Sequence, residues 1–340
     1  MEFSIISHAG VYKKGSNAET EIQISLHEVK LAEDLGYDAW WHTEHHLSPY
    51  GLGGIFSMLG AAAQITKRIR IGSLVILSPL YHPLNIASHL AVLDIMSEGR
   101  LNAGLGRGYR PHTMEALSKY KMSEMRAVHE ETVEIVKKAW QGEFSHQGSH
   151  YEFENENINL RPLQKASDIL WQPVLSPESF EWCLKNEVNA VVGAHLVPDQ
   201  VTEQYWKNWR AMKQAFPEAK IKAANQQFVY VAPTKAEAER DFAAIAPLCV
   251  AFRADLPADY SGSVWDAYRK DLLFLSENTD EATRRSIVGD PETVIERLNF
   301  FKEQGVEHLI VNTRQLDLPQ EKIDRSMKLF AEKVMPHFKN

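Results

Sequence analysis

Residues 69–106 read "IRIGSLVILSPLYHPLNIASHLAVLDIMSEGRLNAGLG", and the order of elements within them decides the fold. Residues 69–77 are almost continuously apolar, as expected of a parallel strand covered on both faces. "SPLYHP" breaks the run, and Pro83 stands where a helix can start, because the first helical position needs no N–H donor. The helix ends at "SEGR", and "LNAGLG" is the next strand. Strand, helix and strand in this order point to a parallel sheet.

The alternation extends outward on both sides. Upstream lie the strand "EFSIIS" (2–7), a polar loop to about Asn17, and a helix from roughly Glu19 to Leu35. That helix carries Ile22, Leu26, Val29 and Ala32 at helical spacing, and Gly36 stops it. A strand "DAWWHT" (38–43) and a helix rich in small residues, "IFSMLGAAAQIT" (55–66), complete this side. Downstream, a long helix covers roughly Met122 to Trp140, and "GEFSHQGSHYEFEN" (142–155) reads as an added β-hairpin. The strands "DILWQPVLS" (168–176), "VNAVVGAH" (188–195), "KAANQQFVYVA" (222–232) and "EHLIVNT" (307–313) follow, each with a helix behind it. The segment from about Val250 to Ile287 is irregular or helical, and the last helix runs from Gln320 to Pro336. Eight strands each followed by a helix predict an α/β fold, a (β/α)8 TIM barrel. One domain over 1–340 is expected, with insertions at about 141–165 and 250–287, the second a lid after strand 7.

Composition narrows the class. The chain has 340 residues, is 44% hydrophobic and 24% charged, and carries a net charge of −8. That is ample for a buried core. A mildly acidic protein has no general attraction for nucleic acid or an anionic membrane. The start "MEFSIISHAG" lacks the charged and apolar regions of a signal peptide. Cys183 and Cys249 are far apart in apolar helical settings, which reads as a reduced, cytoplasmic protein with inert thiols.

Active sites in this fold lie at the C-terminal ends of the strands. After the fourth strand comes "GLGRGYRP" (104–111), where Gly104, Gly106 and Gly108 could let backbone N–H groups approach an anion and Arg107 offers a planar donor fork. A tight turn with a solvated arginine is the plainer alternative. After the fifth strand, Pro177 opens a helix behind Ser176, so Ser176 and Ser179 mark an anion site or an ordinary N-cap. After the second strand, "WWHTEHHLSPYG" (40–51) would put His42, Glu44 and His46 on one face if the strand continued. A metal needs further ligands from later strands. The fifth and eighth strands end without His, Asp or Glu, leaving only His195. An acid–base role needs a single imidazole.

These blocks together resemble the bacterial luciferase-like flavin monooxygenases. "WWHTEHHLSPYG", "IRIGSLVILSPLYHP", "LDIMSEGRLNAGLGRGYRP", "VLSPES" and the end "VGDPETVIERLNFFKEQGVEHLIVNT" occur in the family's order along nearly the whole chain. The resemblance implies a commonly dimeric (β/α)8 barrel that binds FMN at the C-terminal rim, as FMNH2 from a separate flavin reductase. It implies oxygenation of a small-molecule substrate by O2 through a C4a-peroxyflavin. His45 matches the catalytic histidine and Glu44 the motif's glutamate, with His46 beside them. Arg107 and Ser176 match phosphate contacts, with Gly106, Gly108, Tyr109 and Ser179 around them. Leu74 and Val75 match a strand end whose unusual, often cis, peptide lies behind the isoalloxazine ring. Trp40 and Trp41 are expected as apolar walls of the flavin pocket.

Two positions depart from the light-producing relatives. Gly106 stands where their alpha subunit has cysteine, which puts bioluminescence in doubt, and Leu175 replaces a glutamate at the phosphate. A deazaflavin (F420)-dependent oxidoreductase and a non-catalytic FMN-binding protein are the competing readings. Relatives of the first kind more often carry a shorter acidic–histidine motif.

Overall fold

The computed structural model describes residues 1–11, 16–48, 51–174, 176–192, 196–243, 245, 263–314 and 318–339, with backbone alone for 263–268. Four parallel strands come first: β1 (Glu2–Ser7), β2 (Ala39–His42), β3 (Arg70–Leu77) and β4 (Leu101–Gly106). An antiparallel hairpin, β5 (Phe144–Gln147) and β6 (Glu152–Glu156), stands apart from the sheet. Then come β7 (Leu170–Val174), β8 (Asn189–Val192), β9 (Ala223–Val231), β10 (Ile287–Gly289) and β11 (His308–Asn312). The spatial order is β10-β9-β11-β1-β2-β3-β4-β7-β8, and a β9–β8 pairing closes the ring. β10 pairs with β9 alone, so the nine-stranded sheet less this strand is a closed eight-stranded parallel barrel.

The helices return the chain between strands. They are α1 (Ala18–Asp34), α2 (Ile55–Ile65), α3 (Pro83–Met96), α4 (Pro111–Leu117), α5 (Met125–Ala139), α6 (Ala166–Ile169) and α7 (Pro177–Asn186). After them come α8 (Asp199–Ala215), α9 (Lys235–Phe242), α10 (Ser263–Glu277), α11 (Thr279–Arg284), α12 (Pro291–Glu303) and α13 (Gln320–Leu329). Their starts are chemically marked. Asn17 caps α1 by accepting the Thr20 N–H at 2.9 Å, and Asp290 caps α12 through Thr293 at 3.0 Å. Pro83, Pro111, Pro177 and Pro291 each occupy the first helical position.

Several elements differ from the sequence reading. α4 was not anticipated, and the long helix begins at Met125 after a 3-10 turn at Met122–Glu124. β10 is too short to show periodicity. The last helix ends at Leu329 and passes through a π turn, Phe330–Val334, into Met335–His337, because Pro336 cannot donate to a continuing helix. Of the expected lid, 250–287, residues 263–287 carry α10, α11 and the first residue of β10, and 250–262 lie outside the described residues. Cys183 is buried in α7 and burial pushes its thiol pKa up, while Cys249 is outside the described residues.

The core has two layers. Ile6, Ala39, Trp41, Trp171, Val191, Ala224 and Ile310 fill the barrel. Phe3, Ile5, Trp40, Ile71 and Leu101 face the helices, with Ile86 and Leu90 of α3 opposite. Alternation along β2 therefore sends Trp40 outward and Trp41 inward. Trp40 donates its indole N–H to Ser7 at 2.8 Å, and Trp41 meets Trp171 edge to face at 5.4 Å. A Cβ on Gly72 would stand 2.6 Å from the Trp41 ring, so only glycine lets β3 pass that close. Both tryptophans are fully buried, which corrects their expected place as walls of an open pocket. Each ring buries about 200 Å², roughly 5 kcal/mol of gross hydrophobic stabilisation, and that favours the core over a wet rim.

Candidate active site

β2 ends at His42, and the chain turns into the rim loop. His42 is buried, its Nδ1 lies 2.8 Å from the Thr43 carbonyl, and burial pulls its pKa down to about 4. It is a neutral imidazole at pH 7. Glu44 is also buried, and its carboxylate accepts three hydrogen bonds. Its Oε1 accepts from His46 Nε2 at 2.9 Å and from the Tyr81 hydroxyl, and Oε2 accepts from the Leu77 N–H at 2.7 Å. A buried carboxylate needs hydrogen-bond donors, and this arrangement provides three. Burial and the Glu44 charge raise the Tyr81 phenol pKa, so Tyr81 remains a donor. Glu44 and His46 do meet, but His42 faces away into the barrel–helix layer beside Trp40.

His45 is half-buried, and its ring makes no hydrogen bond to another described residue. Burial holds its pKa well below the ordinary value, and the positive charge of Arg110 acts the same way. The part of the ring still in solvent tempers that shift. The loop that follows turns back onto it: the His45 N–H donates to the Leu52 carbonyl at 3.2 Å.

The next two strands build the floor beside this loop. The Leu74–Val75 peptide is cis, and the β3–β4 register shifts between Ser73 and Ile76. β4 answers with glycine. A Cβ on Gly104 would lie 2.3 Å from the Ser73 carbonyl oxygen, and one on Gly106 would lie 2.5 Å from a Val75 methyl. Close strand approach thus accounts for both glycines in the protein alone. Gly108 has φ +76°, a left-handed turn that glycine adopts freely. Arg107 between them is exposed and makes no ion pair among the described residues. Beneath it, Ser78 bridges the Gly106 carbonyl at 3.3 Å and His129 Nδ1 at 2.8 Å, and His129 Nε2 lies 2.8 Å from Gln172 Oε1. Burial lowers the His129 pKa, which favours a neutral ring in this chain. Tyr109 is exposed, and the Arg110 guanidinium lies 5.6 Å from its ring centre.

At the end of β7, Ser176 caps α7, its hydroxyl accepting the Ser179 N–H at 3.4 Å and lying 3.1 Å from the Ser179 hydroxyl. β2, β3, β4 and β7 are consecutive neighbours in the barrel. Glu44 and His45 follow β2, Leu74 and Val75 lie in the second half of β3, Gly106 to Tyr109 end and follow β4, and Ser176 and Ser179 follow β7, so all fall on one arc of the barrel. A guanidinium, two hydroxyls and a helix start are donors of the kind that suits a phosphate monoester. Leu175 and His195 lie outside the described residues. Among the described residues no three His, Cys, Asp or Glu side chains converge on a metal position. Ser78 and Tyr81 fall in the rim segment 78–82 that the strand order marks for inspection, but the Tyr81–Glu44 contact, Arg110 and the Ser78–His129–Gln172 chain are not read from the sequence.

The fold is a (β/α)8 barrel whose rim carries a half-buried histidine on the loop after β2. The chain belongs to the luciferase-like monooxygenase family, whose model matches residues 1–308. It is 23% identical over 367 aligned residues to the oxygenase component of the flavin-dependent trigonelline monooxygenase of Acinetobacter baylyi, covering 99% of this chain and 96% of that protein. It superposes with a TM-score of 0.78 and 21% identity on the oxygenating constituent of 3,6-diketocamphane monooxygenase of Pseudomonas putida, solved with FMN, covering 100% and 99% of the two chains. An F420-dependent secondary alcohol dehydrogenase gives 0.75 at 15% identity, with 100% and 99% covered. At these identities the two structural matches speak to the fold alone.

Proposed function

We propose that this protein is the oxygenase component of a two-component flavin monooxygenase. It takes reduced FMN from a separate flavin reductase and uses O2 to oxygenate a small organic substrate. The observation that supports this reading is the run of consecutive strands with Glu44–His45–His46 just after β2, the cis Leu74–Val75 peptide within β3 and Arg107 just after β4. The family and the oxygenase component among its relatives support it.

Arg107, Ser176 and Ser179 would hold the FMN phosphate, with Gly106, Gly108 and Tyr109 shaping the turn around it. Leu74 and Val75 would back the flavin ring. When bound, reduced FMN supplies the two electrons with which one oxygen atom enters the substrate and the other leaves as water. The protein's part is positioning and proton transfer. His45, held neutral near pH 7, can accept a proton at a ring nitrogen and return it. Glu44 and His46 fix the loop that carries it. The reading includes a homodimer, supported by the exposed apolar face of α3.

Oxygen uptake with a generic flavin reductase and a panel of aldehydes, ketones and sulfonates tests the reading. Substrate-dependent uptake is expected with FMN, and His45→Ala should lower it by about 10²-fold or more while leaving FMN affinity nearly unchanged. Full uptake by His45→Ala would contradict the role of His45. Reduction of F420 by an alcohol, without oxygen uptake, would favour the deazaflavin alternative.

A further inference from the structure

The rings of His45 and His46 are held in different ways. His46 is tied to the buried Glu44 carboxylate at 2.9 Å. His45 has no such tether among the described residues, although a catalytic imidazole must be aimed within narrow limits. What meets its ring is backbone. A Cβ on Gly51 would stand 2.7 Å from His45 Cδ2, 3.1 Å from its Cβ and 3.2 Å from its Cγ. A Cβ on Gly53 would stand 2.6 Å from His46 Cε1 and 2.8 Å from its Nδ1. Carbon atoms not bonded to each other pack at about 3.5–4.0 Å, so neither glycine leaves room for a Cβ beside the imidazole it meets. Neither has a positive φ. Their backbone conformation alone does not demand glycine, and the demand comes from the rings. Between them, the Leu52 carbonyl accepts the His45 N–H at 3.2 Å and pins the strip in place.

We infer that Gly51 and Gly53 are positioning residues, and that Gly51 in particular sets the ring plane of His45. The link to turnover rests on His45 being the acid–base group proposed above, whereas the link to ring orientation does not. A methyl at position 51 meets a ring with no polar tether among the described residues, so the ring swings. A methyl at position 53 must also strain the His46–Glu44 hydrogen bond.

The test uses Gly51→Ala and Gly53→Ala in the full chain, with Gly60→Ala as control. A Cβ at position 60 would meet nothing nearer than Leu93 Cδ2 at 3.9 Å. Side-chain imidazole NMR spectra, assigned with His45→Ala and His46→Gln, report the rings directly. Gly51→Ala should move the His45 signals and Gly53→Ala chiefly those of His46, while Gly60→Ala should move neither. Stopped-flow reoxidation of bound, photoreduced FMN in air gives the second readout. There Gly51→Ala should reproduce the effect of His45→Ala, up to about 10²-fold for a misplacement near 1 Å, with FMN affinity kept. Unchanged His45 signals in a folded Gly51→Ala protein would overturn the inference. If that variant does not fold, a nuclear Overhauser contact between Gly51 Hα and His45 Hδ2 in the unmodified protein supports the inference, and its absence overturns it. Moved His45 signals with no effect of His45→Ala on reoxidation would uphold the positioning and instead sink the proposed role of His45.

Discussion

Glu44 sits in a buried place where three donors reach its carboxylate, one from its own loop and two from the segment 77–81. Replacing it with glutamine turns an amide N–H₂ toward at least one of those donors. Glu44→Gln should therefore destabilise the protein by about 1–3 kcal/mol, and Tyr81→Phe by about 1 kcal/mol. Urea unfolding followed by circular dichroism would read both. Stability equal to the unmodified protein in Glu44→Gln would mean that the brace does not form. The pair Glu44–His46 was legible in the sequence, since the two residues sit side by side in one short motif. Tyr81 was not, because 37 residues separate it from Glu44 and no local pattern signals the contact.

Strand and helix order was legible because a parallel barrel writes it plainly: apolar runs, then a proline or an N-cap where each helix begins. The glycines of "GLGRGYRP" were harder. They suggested an anion cradle, yet Gly104 and Gly106 are already required by the close approach of β3. Sequence shows that a Cβ is missing but not what fills its place. α3 carries a signal of another kind. Its Val92, Ile95 and Met96 are 40%, 44% and 38% exposed, beside Ile65 of α2 at 40%. Apolar side chains gathered on one outer face suit an interface. Ile95→Lys should shift the protein from dimer to monomer in light scattering at micromolar concentration without changing its circular dichroism. An unmodified protein that is already monomeric would remove α3 as a dimer face.

At the scale of the whole molecule, the barrel turns distant segments into neighbours. Residues 44–46, 74–75, 107 and 176 are far apart in the sequence, yet they lie on or just after β2, β3, β4 and β7, which are adjacent in the ring. Counting strands exposed that adjacency in the sequence. It did not place the side chains, and so Trp40 and Trp41 were assigned to the pocket when the alternation of β2 sends one into the barrel and one behind it. The central claim is that this arc of the rim holds FMN by its phosphate. Equilibrium fluorescence titration with FMN and riboflavin, on the unmodified protein and on Arg107→Ala, tests it most directly. A charge-assisted phosphate contact of about 1.5–3 kcal/mol predicts that FMN binds at least about tenfold more tightly than riboflavin, and that Arg107→Ala removes most of the difference. Equal binding of FMN and riboflavin by the unmodified protein would contradict the account.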